Sequence, residues 1–205
     1  MYSRHPSEAM RIAAVVAFRR QGAVAELGPF IDDGSWTVAS EAARALYDEA
    51  NPERFAAHSE TFATLAETLL DDRPDPDVVR ALATNRRIGT LDAVKRIGAR
   101  AVESGSWKAL RLMALELLAS WPEASLLDPV DGRHFPVPAF NAAVLEEGFL
   151  DEALALSEDS DPDIARAAIA VRPAVEDVGG QLNLLLREHG PDVGGGDDLR
   201  PHRRR

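Results

Sequence analysis

Apolar positions recur along this chain with helical spacing rather than with the alternation typical of a β-strand. Trp36, Ala39, Ala43, Leu46 and Tyr47 form an i, i+3, i+7, i+10, i+11 stripe. A shift of 71 residues gives a second stripe of the same kind, whose members are Trp107, Leu110, Ala114, Leu117 and Leu118. Because alternating β-branched runs are almost absent, the pattern predicts an all-α fold.

One helix start is also present twice. Asp75-Pro76-Asp77 recurs 86 residues later at 161–163, and Arg80 recurs as Arg166. Aspartate before a helix accepts hydrogen bonds from unpaired amides of the first turn, and proline fits there because it lacks an N–H. The repetition of a helix face and a helix start predicts an α-solenoid of stacked antiparallel helix pairs.

The spacing predicts a single repeat domain over residues 1–190. The predicted helices begin with 8–20 and end with 177–189. Between them lie four antiparallel pairs: 23–32 with 36–48, 53–70 with 76–88, 90–103 with 107–120, and 140–157 with 162–172. Gly22 and Gly89 are expected to end two of them. Residues 191–205 are rich in Gly, Asp and Arg, and we expect them to be disordered.

A proline-rich loop at 121–139 interrupts the repeats. It contains four prolines and no helical period. Long loops inside compact domains are often functional. This loop is therefore the first place in which we look for a binding site.

The repeated aromatic and basic positions have structural and functional interpretations. Trp36 and Trp107 begin the two apolar stripes, so we expect them to be buried packing anchors rather than binding platforms. Arg80 and Arg166 occupy matched positions, which favours salt bridges between adjacent turns. The alternative is an arginine row that binds an acidic partner.

Net charge restricts the possible partners. The formal charge is −11, and four of the 23 basic residues lie at 200–205, so residues 1–199 carry 19 basic against 34 acidic side chains, or −15. Such a body repels phosphate backbones, and we expect no nucleic-acid binding through the folded part. The longest purely apolar run is 12–18, too short for a bilayer, which needs about 20 residues, so no membrane association is expected. Because the first residues lack an apolar signal core, we expect a cytoplasmic location for the chain as written.

No established catalytic or metal-binding motif is present. Asp159, Asp161 and Asp163 resemble the start of a calcium loop, but Ile164 and Ala170 occupy the positions that need glycine and a bidentate glutamate. Helix capping is the better interpretation of this cluster. The five histidines are scattered, cysteine is absent, and no phosphate-binding or dinucleotide-binding glycine loop occurs. We predict no catalytic residue, no cofactor and no metal site.

The helix pairs, with their Asp-Pro-Asp entry and an alanine-rich second helix, resemble HEAT repeats of the HEAT-like or phycobilisome-lyase type. Residues 85–90, 114–122 and 127–133, in that order, further resemble the HEAT segment between a quinoprotein sugar dehydrogenase β-propeller and a c-type cytochrome in multidomain bacterial proteins. That resemblance implies an accessory segment that positions the two domains, in a periplasmic setting. A propeller pattern before the chain and a Cys-x-x-Cys-His after it would establish this alternative.

The leading hypothesis is a non-enzymatic helical-repeat scaffold that contacts another protein or an adjacent domain. Repeat surfaces are extended, and no catalytic set is present. Asp128, Asp131 and Arg133 in the loop are the predicted protein-contact residues, together with outward polar positions of the helices 36–48, 76–88 and 107–120. A bilin-lyase-like enzyme is a third possibility, because it shares the repeat family.

Overall fold

The computed structural model describes residues 2–70, 75–121, 127–137 and 149–172. Regular structure in these ranges is helical, and the only β pairing in them is one antiparallel bridge between Leu127 and His134. The all-α prediction is therefore confirmed. In the same ranges, no helix has the length and apolar character that crossing a membrane requires.

The described ranges contain nine α-helices, numbered in chain order. They are α1 (Glu8–Gln21), α2 (Trp36–Tyr47), α3 (Pro52–Ala57), α4 (Ser59–Glu67), α5 (Asp75–Ile88), α6 (Leu91–Val102), α7 (Lys108–Ala119), α8 (Phe149–Ala155) and α9 (162–172). Short 3-10 turns join or extend them at Tyr2–Arg4, Val24–Glu26, Gly28–Phe30, Thr68–Leu70 and Leu156–Glu158.

Two predicted helices differ in the structure. The segment 23–32 forms two 3-10 turns instead of an α-helix, because Gly28 and Pro29 interrupt any regular backbone hydrogen bonding. The predicted helix 53–70 is divided at His58, whose backbone leaves the helical region. The first part of the predicted helix 140–157, the predicted helix 177–189 and the predicted disordered tail 191–205 lie outside the described residues.

The predicted helix ends at Gly22 and Gly89 are confirmed. Both glycines have a positive φ, 66° and 68°, which residues with a Cβ rarely adopt. The Gly22 N–H donates to the Arg19 carbonyl and so closes the last turn of α1. The sequence therefore located these two boundaries correctly.

Polar contacts join the N-terminal halves of neighbouring helices. In α2, Ser40 donates to Asp77, which lies in the first turn of α5. Arg100, near the end of α6, donates to the Leu69 carbonyl in the 3-10 turn that follows α4 and to the Ser106 hydroxyl just before α7.

The start of α9 lies next to the start of α7. The Lys108 ammonium is 2.9 Å from the Asp161 carboxylate and 2.7 Å from that of Asp163. Asp161 also accepts a hydrogen bond from the Asp163 N–H at 2.9 Å. The side chain thus caps α9, as the sequence predicted.

The matched arginines make the same contact in both copies. Arg80 lies 3.1 Å from Asp77, and Arg166 lies 3.2 Å from Asp163, each pair spanning three residues of one helix. Each arginine thus forms a salt bridge with the aspartate one turn earlier, which agrees with the predicted salt bridges between adjacent turns. Arg80 and Arg166 occupy matched positions because each pairs with the last aspartate of an Asp-Pro-Asp segment, Asp77 or Asp163.

The tryptophan prediction is wrong. Trp36 is 53% exposed and Trp107 is 68% exposed, although the rest of each stripe, from Ala39 and Leu110 onward, is buried. The Cα–Cβ bond of a helical residue tilts toward the helix N-terminus. A side chain at or just before the first helical residue therefore extends beyond the packed layer, and neither tryptophan anchors the core.

Helix α5 lies between two apolar clusters. It contributes Ala83 to the cluster formed with α2 and α4, and Leu82 to the cluster formed with α6, α7 and α9. The polar residues of its second half, Thr84, Asn85, Arg86 and Arg87, are all buried. The second half of this helix therefore lacks the expected exposed polar face, because other elements cover it.

Asn85 illustrates how a buried polar group of α5 is satisfied. Its amide donates to the carbonyls of Ala66 and Ala81, both at 2.8 Å. Its oxygen accepts from the Arg96 guanidinium at 2.8 Å. The side chain thus joins α4, α5 and α6, and its burial costs little because its hydrogen bonds are made.

Candidate functional site

The described part of the proline-rich loop, residues 127–137, forms a turn closed by the β-bridge; we call it the bridged turn. The Asp128 N–H donates to the Arg133 carbonyl at 2.7 Å, and the Gly132 N–H donates to the Asp128 carbonyl at 3.0 Å. Gly132 has a φ of 69°, a conformation in which glycine avoids the strain of a Cβ. The segment is therefore an ordered structural element.

Asp128 connects the bridged turn to the helices. Its carboxylate lies 2.9 Å from Nη2 of Arg87 in α5, and it accepts a hydrogen bond from the Tyr47 hydroxyl at the end of α2. It also accepts from the Val130 N–H at 2.9 Å. The Arg87 and Asp128 side chains are each 2% exposed. This is a buried ion pair with additional hydrogen bonds to the carboxylate.

The Arg87 guanidinium lies between two aromatic rings. Its central carbon is 4.1 Å from the ring centre of Tyr47 and 4.6 Å from that of Phe135 in the bridged turn. Nη1 donates to the Tyr47 carbonyl at 3.0 Å. Cation–π contacts and the ion pair therefore act on the same group and fix its position.

The surroundings of Asp128 and Tyr47 determine their charge states. Burial alone would raise the pKa of Asp128, but the hydrogen bonds from Tyr47 and Val130 and the charge of Arg87 lower it below its usual value. Burial raises the pKa of the Tyr47 phenol far above its usual value, against the opposing charge of Arg87. At neutral pH Asp128 is therefore a carboxylate and Tyr47 a neutral phenol. Their hydrogen bond attaches the turn to α2 and does not transfer a proton.

Arg86 adds a second buried cation. Its Nε and Nη2 atoms are buried and have no hydrogen-bond acceptor. Burial lowers the pKa of this guanidinium, and the charge of Asp128 opposes that effect. Asp128 therefore offsets the charge of Arg86 as well as that of Arg87.

The three predicted contact residues lie together in the bridged turn. Asp128 is buried, as described above, and Asp131 is partly exposed, with a carboxylate oxygen 4.0 Å from Arg87. The Arg133 side chain is 52% exposed and donates to the Asp48 carbonyl at 3.2 Å. Their role in protein contact stays a prediction, and Arg133 offers the largest exposed surface of the three.

The outer side of the bridged turn carries apolar residues. Leu127 is 57% exposed and Val130 is 39% exposed, while Phe135 of the same segment packs inward against Phe55. The segment therefore buries one acidic and one aromatic side chain and leaves two aliphatic ones in contact with solvent.

The calcium-like cluster is occupied by basic side chains. Asp159 lies 3.0 Å from Arg111, and Asp161 and Asp163 share Lys108. The hydrogen bond from the Lys108 ammonium lowers the pKa of Asp161 and Asp163. Among the described residues, no group of three acidic or histidine side chains could hold a metal ion. These contacts favour the capping interpretation of the cluster.

Sequence reasoning did not single out Tyr47, Arg87 and Phe135 as site residues. A signal was present, however, because the segments 85–90 and 127–133 were both recognised as distinctive. The structure brings these two segments into contact through Arg87 and Asp128. What the sequence could not show was that the two segments are neighbours.

No model of a known protein family matches this sequence, and a comparison with characterised proteins finds no match either. The resemblance to HEAT repeats and to the quinoprotein segment therefore stays a prediction.

Proposed function

We propose that this protein is a non-enzymatic helical-repeat scaffold that binds another protein, or an adjacent domain, through the outer side of the bridged turn. The helix pairs are interpreted as HEAT-like repeats of an α-solenoid. The contact between α2 and the start of α5, and that between the starts of α7 and α9, support this arrangement. So do the matching Arg–Asp contacts in two of the repeats.

One observation carries the functional part of the proposal. The bridged turn is fixed from inside by Asp128 and Phe135, while Leu127 and Val130 remain exposed on its outer side. A segment that is already ordered loses little conformational entropy when a partner binds it. Exposed aliphatic side chains on such a segment can then contribute apolar burial to the complex.

Affinity capture from the source cells, with and without substitutions in the turn, tests the proposal. The double variant Leu127→Ser/Val130→Ser removes the exposed apolar side chains without touching Asp128 or Phe135. Ile169→Ser is the matched control, because Ile169 is also exposed but belongs to α9. We expect the wild type and the control to retain the same specific protein and the double variant to lose it. Retention of that protein by the double variant would contradict the proposal.

A further inference from the structure

An apolar pocket lies beside the bridged turn, where the turn meets α3 and the junction of α5 and α6. Its volume is about 390 Å³, within the range of pockets that bind ligands. The residues that form most of its wall are Phe55, Ala56, Ser59, Ile88, Thr90 and Phe135.

The two aromatic side chains of the pocket wall are packed against other buried residues. The Phe55 ring stacks on that of Phe62 with centres 4.2 Å apart, and it meets the edge of the Phe135 ring at 5.2 Å. Phe135 in turn lies against the Arg87 guanidinium, which Asp128 fixes. The pocket is therefore preformed, and binding does not require the walls to become ordered first.

The electrostatics of the pocket favour a neutral occupant. Arg87 is the charged residue of its lining, but its side chain is only 2% exposed and lies 2.9 Å from the Asp128 carboxylate and against the Phe135 ring. A charged group entering the pocket would lose hydration without gaining a counterion. The occupant should therefore be uncharged and largely apolar.

The rim adds hydrogen-bonding groups. Thr90 Oγ1 accepts from the Ala93 N–H at 3.3 Å, so the Thr90 hydroxyl hydrogen is left to donate. Ser59 supplies a second hydroxyl at an exposed position. An occupant with an aromatic body and a polar edge matches aromatic walls below a hydroxylated rim.

We infer that this pocket receives a tyrosine or tryptophan side chain of the protein that binds the bridged turn. This inference rests on the proposed function. The pocket adjoins the bridged turn, because Phe135 and Pro136 of the turn form part of its wall. A partner bound to the turn can thus place an aromatic ring against Phe55 and Phe135.

A titration with N-acetyl amides of single amino acids tests the pocket without the partner. The probe is the full chain with 13C-labelled isoleucine methyl groups, in which Ile88 reports on the pocket and Ile169 on a distant exposed site. We expect the tyrosine and tryptophan amides to shift the Ile88 signal saturably, with a Kd roughly threefold to tenfold below that of the leucine amide. The lysine amide should leave Ile88 unchanged. An unchanged Ile88 signal with the aromatic amides, equal shifts at Ile169, or a leucine amide that binds as tightly would overturn the inference.

Two neighbouring alanines of α3 provide matched variants. Ala56 lines the pocket and Ala57 does not, and both are exposed. Ala56→Phe should fill the pocket and abolish the saturable shift, whereas Ala57→Phe should preserve it. Ser59→Phe is a second filling change, for use if Ala56→Phe lowers the helix content. Binding that survives a folded filling variant would refute the pocket assignment.

The two proposals fail in distinguishable ways. If the aromatic amides bind at Ile88 but partner capture does not depend on Leu127 and Val130, the pocket stands as an aromatic-binding site and the proposed function is wrong. If capture depends on Leu127 and Val130 but the amides do not reach Ile88, the pocket inference alone is wrong.

Discussion

Replacing Asp128 with asparagine should destabilise the protein strongly. The substitution keeps the size of the side chain but removes the charge that faces Arg87, and both side chains are 2% exposed. Removing one partner of a buried ion pair costs about 3–5 kcal/mol, because the other charge is left buried and uncompensated. Folded domains are stable by only about 5–15 kcal/mol, so the loss is a large fraction of the total.

Urea unfolding followed by circular dichroism measures this effect. With an m-value of about 2–3 kcal/mol/M, the unfolding midpoint of Asp128→Asn should fall by about 1–2.5 M at pH 7. Asp163→Asn is the control, because it removes a carboxylate from an exposed pair with Lys108, and its midpoint should barely move. Arg87→Met combined with Asp128→Leu should recover part of the lost stability, since the Arg87 charge is then no longer buried without a partner, whereas Arg86 still lacks the opposing charge of Asp128.

The pH dependence of stability tests the direction of the Asp128 contribution. The folded-state pKa of Asp128 is lowered, so its stabilising contribution is present above the ordinary aspartate pKa of about 3.9 and is lost as the pH falls through the folded-state value. The difference between the wild type and Asp128→Asn should be constant from pH 7 to about pH 5 and should narrow below about pH 4. Equal midpoints at pH 7, or a difference that widens in acid, would refute the reasoning.

Three further predictions concern single positions. Trp107→Ala should change the free energy of unfolding by no more than about 0.5 kcal/mol, because Trp107 is exposed, whereas Leu110→Ala on the same helix face should cost about 2–5 kcal/mol by urea unfolding. Phe135→Ala should cost about 3–5 kcal/mol, because the ring is buried against Phe55 and Arg87; a cost below about 1 kcal/mol would mean that the turn is not packed on the helices. Gly132→Ala should cost about 1–2 kcal/mol through its positive φ alone, since the space around it is open, and equal thermal midpoints would contradict this.

The sequence was most informative about features that repeat locally. Helical periodicity located the buried faces of α2 and α7, and glycine chemistry located the ends at Gly22 and Gly89. The exposure of Trp107 was missed because the spacing of apolar residues does not show where a helix begins. Trp107 lies one position before the first residue of α7. The exposure pattern of α5 was missed because it depends on elements that cover this helix from other parts of the chain.

The candidate site could be predicted only in part. The interruption of the repeats directed attention to the loop, and the three residues predicted there, Asp128, Asp131 and Arg133, lie in one ordered turn. Arg87, which is 41 residues from Asp128 along the chain, could not be identified as its partner because a single sequence carries no information on long-range pairing. Asp128 points inward because it pairs with Arg87, so its burial could not be predicted from the sequence either.

Photo-crosslinking from the bridged turn is the most direct test of the central claim, that this turn is the surface that binds a protein partner. A photoreactive benzoylphenylalanine placed at Val130, and in a separate variant at Ile169, samples two exposed apolar positions on different elements. We predict a single specific protein crosslink from Val130 and none from Ile169. Crosslinks to the same proteins from both positions, or from Ile169 only, would contradict the account.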